Sequence, residues 1–365
     1  MEETMDSTYD EMQRVLKIRF DEELKKIMPV DQEAQRASQA RWDHIAKPLY
    51  SLGKLEKAVV QMAGIIGSEH VSIRKKALVI MCADNGVVEE GVTQTGQEVT
   101  AIVAQNFLTG KTSAKLMADY AGVKVFPIDI GMVSDTSIIN RKVAYGTQNF
   151  TKGPAMTRVQ TLQAILVGID FVRELKSKGY EIICTGEMGI GNTTTSSALA
   201  AVLLQAPIEQ VTGKGAGLSD QGLQRKVIAI QMGIQRNKPN KDDVIDVLAK
   251  LGGFDLAGLA GVFLGGAICR IPVVIDGFIS SVAALLATRL HPLAKDYALA
   301  SHRSKEPAGQ MLLDTLEKEV FLTCDMCLGE GTGAVALMPI LDMALSVYDE
   351  MSTFGDIQVN EYQPL

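Results

Sequence analysis

The sequence predicts an α/β protein: a doubly wound, mainly parallel sheet with a smaller helical domain formed from both chain ends. Two observations carry this. Short, β-branched apolar runs alternate with longer stretches of helical spacing. The runs are also apolar on both faces, as central parallel strands must be when helices cover each side of the sheet. At 365 residues the chain has room for about two domains and a large core.

Residues 1–70 read as the helical N-terminal part of the small domain. Val15, Ile18 and Phe20, then Leu55, Val59, Val60 and Met62, recur at helical spacing amid charge. Pro29 and Pro48 break the pattern. Residues 71–310 form the expected large domain, with strands at 77–82, 123–130, 181–185 and 271–275. Residues 311–365 return to helical spacing and are expected to pack with the N-terminal part. A polar or glycine-rich loop follows each strand: 83–86, 129–131, 186–189 and 276–277. In open α/β sheets ligands bind beyond the carboxyl ends of the strands, so these loops place the site.

Composition removes several classes of function. A net charge of −7 argues against nucleic acid or an anionic membrane as the main partner. The charged N-terminus has no apolar secretory core. The most apolar stretch, 251–290, is interrupted by Asp255, Arg270, Pro272 and Asp276, and its charge-free piece, 256–269, is too short to span a bilayer. It reads as buried core. Five cysteines, an odd number, fit reduced thiols in the cytoplasm. Cys324 and Cys327 form a lone C-x-x-C; without a second ligand pair they read as ordinary thiols, and no metal is expected.

Three glycine loops carry the chemistry. Residues 186–195, GEMGIGNTTT, follow a strand and open a helical run, so backbone amides and a helix N-terminus converge on one spot. The pattern imitates a P-loop, but Asn192 stands where its lysine would be, which favours a single phosphate over γ-phosphoryl transfer. Residues 213–217, GKGAG, form a second anion nest, with Ser219 or Asp220 as the N-cap of the following helix. Lys226, two turns in, is placed to reach back to a phosphate, and Lys214 lies in the loop itself; a solvated surface lysine is the plainer alternative for either. Residues 329–333, GEGTG, present Glu330 between glycines at the start of a third helix, where a turn with a helix-start acid is the plainer alternative. Two cradles beside an isolated glutamate suggest a nucleotide monophosphate next to a general base.

Strung in this order, the motifs resemble the nicotinate-nucleotide:dimethylbenzimidazole phosphoribosyltransferase family. The match runs from about residue 35 to the C-terminus. It includes Lys47 and Pro48 with SLGKLE at 51–56, ADNGV at 83–87, GVT at 91–93 and QEVT at 97–100. It continues through Asn106 and Phe107, DIG at 129–131, the three glycine loops, DGF at 276–278 and SHRS at 301–304 with Glu306 and Pro307. The resemblance implies a Rossmann-like sheet, a smaller helical domain made from both termini and a homodimer; a heterodimer with a paralogue stays open, and the chemistry requires no cofactor and no metal. It implies transfer of the phosphoribosyl group of nicotinate mononucleotide to 5,6-dimethylbenzimidazole, which gives the nucleotide of a cobamide lower ligand. Glu330 and Glu187 would be catalytic. Asp84, Thr93, Gln97, Gly189, Ile190, Gly191, Asn192, Thr193, Gly215, Gly217, Lys226 and Ser304 would bind substrate.

The chain departs from the family at Leu49 and Tyr50, where Pro-Gly is common, and at Thr93 to Gly96, where an aromatic residue and a proline are common. These segments would border the base pocket, so the acceptor stays open among benzimidazoles, purines and phenols. Glu330, among apolar groups, is expected to have a raised pKa. His302 reads as a structural histidine. A non-catalytic regulator that binds a nucleotide monophosphate would use the same loops.

Overall fold

The computed structural model describes residues 2–362, with side chains from residue 10 onward. Met1 and residues 363–365 of the expected helical ends lie outside the described residues. The first 70 residues form α1 (Glu2–Leu24), α2 (Gln32–His44) and α3 (Lys54–Ile66), broken around Pro29 and Pro48 as expected. Asp31 starts α2 by accepting from the amides of Glu33 and Ala34.

Seven strands make one sheet: β1 (Lys76–Ala83), β2 (Val123–Gly131), β3 (Ile139–Asn140), β4 (Ile182–Met188), β5 (Val273–Ile275), β6 (Ala298–His302) and β7 (Val320–Leu322). Their order is β3-β2-β1-β4-β5-β6-β7, and every pairing is parallel. All eight residues of β1 are buried, because helices cover both faces. From β1 the chain builds outward to β2, and later from β4 in the opposite direction. The crevice between the carboxyl ends of β1 and β4 is therefore the topological switch point, where such sheets bind ligands.

The crossovers are helical. α4 (Glu98–Thr109) and α5 (Ser113–Tyr120) join β1 to β2, and α6 (Arg158–Ser177) leads into β4. Thr157 and Gln160 form a reciprocal capping box at the start of α6. Between β4 and β5 run α7 (Asn192–Leu204), α8 (Ile208–Val211), α9 (Asp220–Asn237), α10 (Val244–Leu251) and α11 (Phe254–Cys269). α12 (Phe278–Leu290) and α13 (Gly309–Thr315) connect the remaining strands, and α14 (Thr332–Glu350) follows β7.

The apolar stretch expected to be core is α11 and α12. α11 packs along α6 and on β1, β2 and β4. Leu256, Leu259, Val262, Phe263 and Leu264 are all buried there, each worth about 1.5–3 kcal/mol relative to exposure. On the other face α14 packs against β4, β6, α3 and α5. The chain ends meet: Ile45 and Thr353 form an antiparallel bridge, and the Trp42 ring lies 4.9 Å from that of Tyr348. The Tyr348 hydroxyl donates to the carbonyl of Glu69 at 2.9 Å. α1 lies along α6 instead, where Arg173 pairs with Glu23 at 2.7 Å.

Candidate active site

A cavity of about 300 Å³ opens at the carboxyl ends of β4 and β5, beside the switch point. Its walls come from residues 92–95, 187–193, 214–216, 276–280 and 327–330, with Leu218, His302, Ser304 and Glu306. All three glycine loops contribute, although about 140 residues of sequence separate the first from the last.

Glu330 is presented by backbone geometry. Gly329, Glu330 and Gly331 have φ of +91°, +59° and +87°, three consecutive left-handed residues. For a glutamate that region costs roughly 1–2 kcal/mol, so the surroundings must enforce it. They do: the loop lies so close to β4 that a Cβ on Gly186 would sit 2.6 Å from the Glu330 carbonyl oxygen. The Glu330 carboxylate accepts from the amide of Ala114, in the first turn of α5, at 3.4 Å. Burial raises its pKa, as expected, with that amide pulling the other way.

Glu187 stands across from it on β4. Its Oε2 accepts from the side-chain amide of Asn192, and a Cβ on Gly329 would lie 2.6 Å from its Oε1. Burial, and then the charge of Asp255, push Glu187 up to about 8. In the ligand-free protein at pH 7 it is mainly a neutral acid, able to donate a hydrogen bond. Asp255, at the start of α11, is buried and pushed to about 6 by burial. Asp276 is buried at the end of β5; burial pushes it to about 7, while amides of 331, 333 and 334 pull it down.

The two glycine cradles are built on amides. Gly191 is the N-cap of α7 at φ +92°, and no side chain caps that helix; the amides of Asn192, Thr194 and Thr195 donate to the carbonyls of Gly189 and Gly191, and that of Thr193 is the first-turn donor left for a ligand among the described residues. Ser219 caps α9 by accepting from the amide of Gly222. Lys226 is neither a surface lysine nor part of the cavity wall. It is fully buried and donates to Thr193 Oγ1 at 2.9 Å and the Gly213 carbonyl at 3.1 Å, which ties the two cradles together from beneath. Burial lowers its pKa to about 8, with Glu306 opposing. Lys214 is half-exposed and pairs with Asp220.

Ten of the anticipated residues converge on the cavity: Thr93, Glu187, Gly189, Ile190, Gly191, Asn192, Thr193, Gly215, Ser304 and Glu330. Two have other duties there. The amide of Ile190 is used by Thr100 Oγ1, and the Asn192 side chain faces Glu187 rather than an open anion site. Asp84, Gln97, Gly217 and Lys226 are not brought to the wall. Asp84 is fully buried and accepts from the Val133 amide at 2.8 Å, a link between the ends of β1 and β2. Gln97 donates to the Asn85 carbonyl at 3.2 Å. Leu49 and Tyr50 lie apart from the cavity wall, whereas residues 93–95 form part of it.

Sequence reasoning passed over Asp276, His302, Glu306 and Cys327 as wall residues. Each except Cys327 lay in a quoted motif, and the strand-end position of Asp276 was the available signal. His302 is buried, with Nδ1 3.2 Å from Ser301 Oγ, and burial lowers its pKa. Glu306 lies against Gly213; burial raises its pKa while Lys226 and the Gly215 amide lower it. Among the described residues no group of three or more His, Cys, Asp or Glu is arranged to hold a metal.

The phosphoribosyltransferase family model matches residues 27–359. A nicotinate-nucleotide–dimethylbenzimidazole phosphoribosyltransferase of Ruminiclostridium cellulolyticum is 47% identical over 349 residues, 95% of this chain and 99% of that protein. Its counterpart from Clostridium acetobutylicum is 48% identical over 345 residues, 94% and 98% of the two chains. Among solved structures, CobT from Thermus thermophilus superimposes with a TM-score of 0.86 at 36% identity, covering 90% of this chain and 100% of its own.

Proposed function

The chain belongs to the nicotinate-nucleotide–dimethylbenzimidazole phosphoribosyltransferase family, and we propose that its cleft performs that transfer with Glu330 as general base. The enzyme moves the 5-phosphoribosyl group of nicotinate mononucleotide to 5,6-dimethylbenzimidazole, giving α-ribazole 5′-phosphate and nicotinate for the cobamide lower ligand. The observation that supports the residue roles is a half-buried carboxylate, held in strained backbone, facing two amide cradles across one cavity.

In this reading the amides at the start of α7 and in the 213–217 loop take the 5′-phosphate, over Lys226. Remote binding energy thereby orients C1′. A ring nitrogen of the base attacks C1′ with its lone pair from the face opposite nicotinate. The C1′–nitrogen bond to nicotinate breaks, and its electron pair neutralises the pyridinium. The N–H proton of the benzimidazole passes to Glu330. Displacement from the opposite face converts a β-nucleotide into an α-nucleotide. Glu187 hydrogen-bonds a ribosyl hydroxyl, and a bound pyridinium favours its ionised form, which then steadies cationic character at C1′.

Nicotinate release by Glu330→Gln tests the assignment. Loss of a general base should lower turnover ~10²–10⁴-fold. Unchanged turnover would remove the base assignment, whereas absence of nicotinate release by the wild type would leave a nucleotide-binding protein without catalysis. The acceptor is read from products formed with a panel of benzimidazoles, purines and phenols, since residues 93–95 on the wall depart from the family pattern.

The same reading places the enzyme in the cytoplasm, consistent with five free thiols, as a homodimer or a heterodimer with a paralogue. Ile102 and Leu108 on α4, and Leu116 and Tyr120 on α5, are exposed apolar residues available to such a contact. The division near residues 70 and 311 belongs to this proposal too, supported by the packing of α2 on α3 and of α3 on α14.

A further inference from the structure

We propose that Asp276 is a positioning residue for Glu330, holding the N-terminus of α14 and with it the loop that presents the base. The inference rests on Glu330 being the base. α14 has Gly331 as its N-cap, and no side chain of its own caps it. The first amides of a helix have no intrahelical acceptor. Asp276 supplies one from the end of another element, β5. Its Oδ1 accepts from the amides of Gly333 at 2.7 Å and Ala334 at 3.1 Å, and its Oδ2 from that of Gly331 at 3.3 Å. This is an N-cap provided from 55 to 58 positions away in sequence, and negative charge is favoured at that end of a helix.

Asp276 is itself fixed. Ser301 Oγ donates to the carbonyls of Asp276 at 3.0 Å and Ile275 at 2.7 Å, and the Asp276 amide donates to Ser280 Oγ at 3.2 Å. Glu330 precedes Gly331 directly and has φ +59°. Among the described residues its carboxylate has a single long hydrogen bond, from the Ala114 amide at 3.4 Å. The direction of Glu330 is therefore set by backbone, and that backbone is anchored one residue away by Asp276. A rigid strand end thus aims the base through one carboxylate.

Asp276→Asn keeps the shape but offers one acceptor oxygen and turns an NH₂ toward amide donors. The test is a kinetic double-mutant cycle on the full chain with nicotinate mononucleotide and 5,6-dimethylbenzimidazole: wild type, D276N, E330Q and the double variant. D276N should lower kcat on the order of 10–100-fold, move KM for nicotinate mononucleotide less than about threefold, and cost less than about twofold once Glu330 is already Gln. An equal loss in both backgrounds, or a loss that lies in KM, overturns the inference, because Asp276 would then act on substrate or on the fold at large. E330Q with wild-type turnover refutes the base itself and removes this inference with it, a result distinct from additivity. Should D276N fail to fold, Ser301→Ala loosens the same anchor more gently. Its expected loss in kcat, roughly 2–10-fold, must also vanish in the E330Q background; persistence there overturns the inference.

Discussion

Replacing Glu187 with glutamine should flatten the dependence of stability on pH in the ligand-free protein. Glu187 is 7% exposed, hydrogen-bonded to Asn192, with Asp255, Asp276 and Glu330 as its charged neighbours. Burial and these acids lift it from an ordinary 4.5 to about 8. The unfolded chain loses this proton near pH 4.5, while the folded chain keeps it to about 8. Across that window the native state binds more protons, so stability falls as pH rises. The contribution is fully present below 4.5 and is lost once pH has risen through 8. At about 1.4 kcal/mol per pH unit the whole span amounts to roughly 5 kcal/mol, of which about 3 falls between pH 5.5 and 9. Asp255 and Asp276 titrate in the same range and are coupled to Glu187, so the difference between the two proteins reports Glu187 together with its coupling to them. Urea unfolding at about pH 5.5 and 9 measures it. E187Q should gain about 3 kcal/mol on wild type over that interval. Parallel curves would refute the placement of an uncompensated acid in this cleft.

Two further outcomes follow from the same geometry. A base must be ionised to accept a proton, so kcat/KM, which reports the free enzyme, should rise with pH through a value above the ordinary carboxylate range, set by the half-buried Glu330; a limb that survives in E330Q belongs to another group. Lys226→Met removes the bonds to Thr193 Oγ1 and Gly213 and should raise KM for nicotinate mononucleotide about tenfold or more, with kcat less affected; an unchanged KM would show that the cradles hold their shape without it.

Much of this was legible in the sequence, and what was missed has physical causes. The long central strands announced themselves because both faces are buried, as in β1. β6 (ALASH) is equally buried but small and polar, and β7 and β3 have only three and two residues, too few to show any period. The glycine loops were readable because few other residues tolerate their backbone. Side-chain destinations were not. Asp84 and Asp276 both follow strands in glycine-containing loops. One accepts from a neighbouring loop's amide away from the cavity, and the other caps a helix at its edge. Lys226, the only lysine of α9, shares the face of Gly222, Ala229, Ile230 and Gly233, and a face made largely of glycine and alanine does not announce itself as buried.

The distribution of charge in the cleft then has a single explanation. Its β4–β5 end gathers Glu187, Asp276 and Glu330, with Asp255 close behind, and burial raises the pKa of all four. Such a cluster is expensive to ionise without a ligand. The other end offers helix-start amides and a glycine nest, with Lys226 beneath and Glu306 against Gly213. Because Glu306 offsets much of the charge of Lys226 there, the amides rather than net charge must hold an anion. A molecule carrying a phosphate at one end and a positive ring at the other fits both demands in one orientation only. Nicotinate mononucleotide has that form, its pyridinium attached to the carbon that must react. On the proposed reading its ring charge relieves the acid cluster and favours the ionised forms of Glu187 and Glu330, as a base requires. When nicotinate leaves, the ring charge goes with the broken bond, and the cleft again prefers neutral acids. On that reading, binding of the donor and ionisation of the base favour one another.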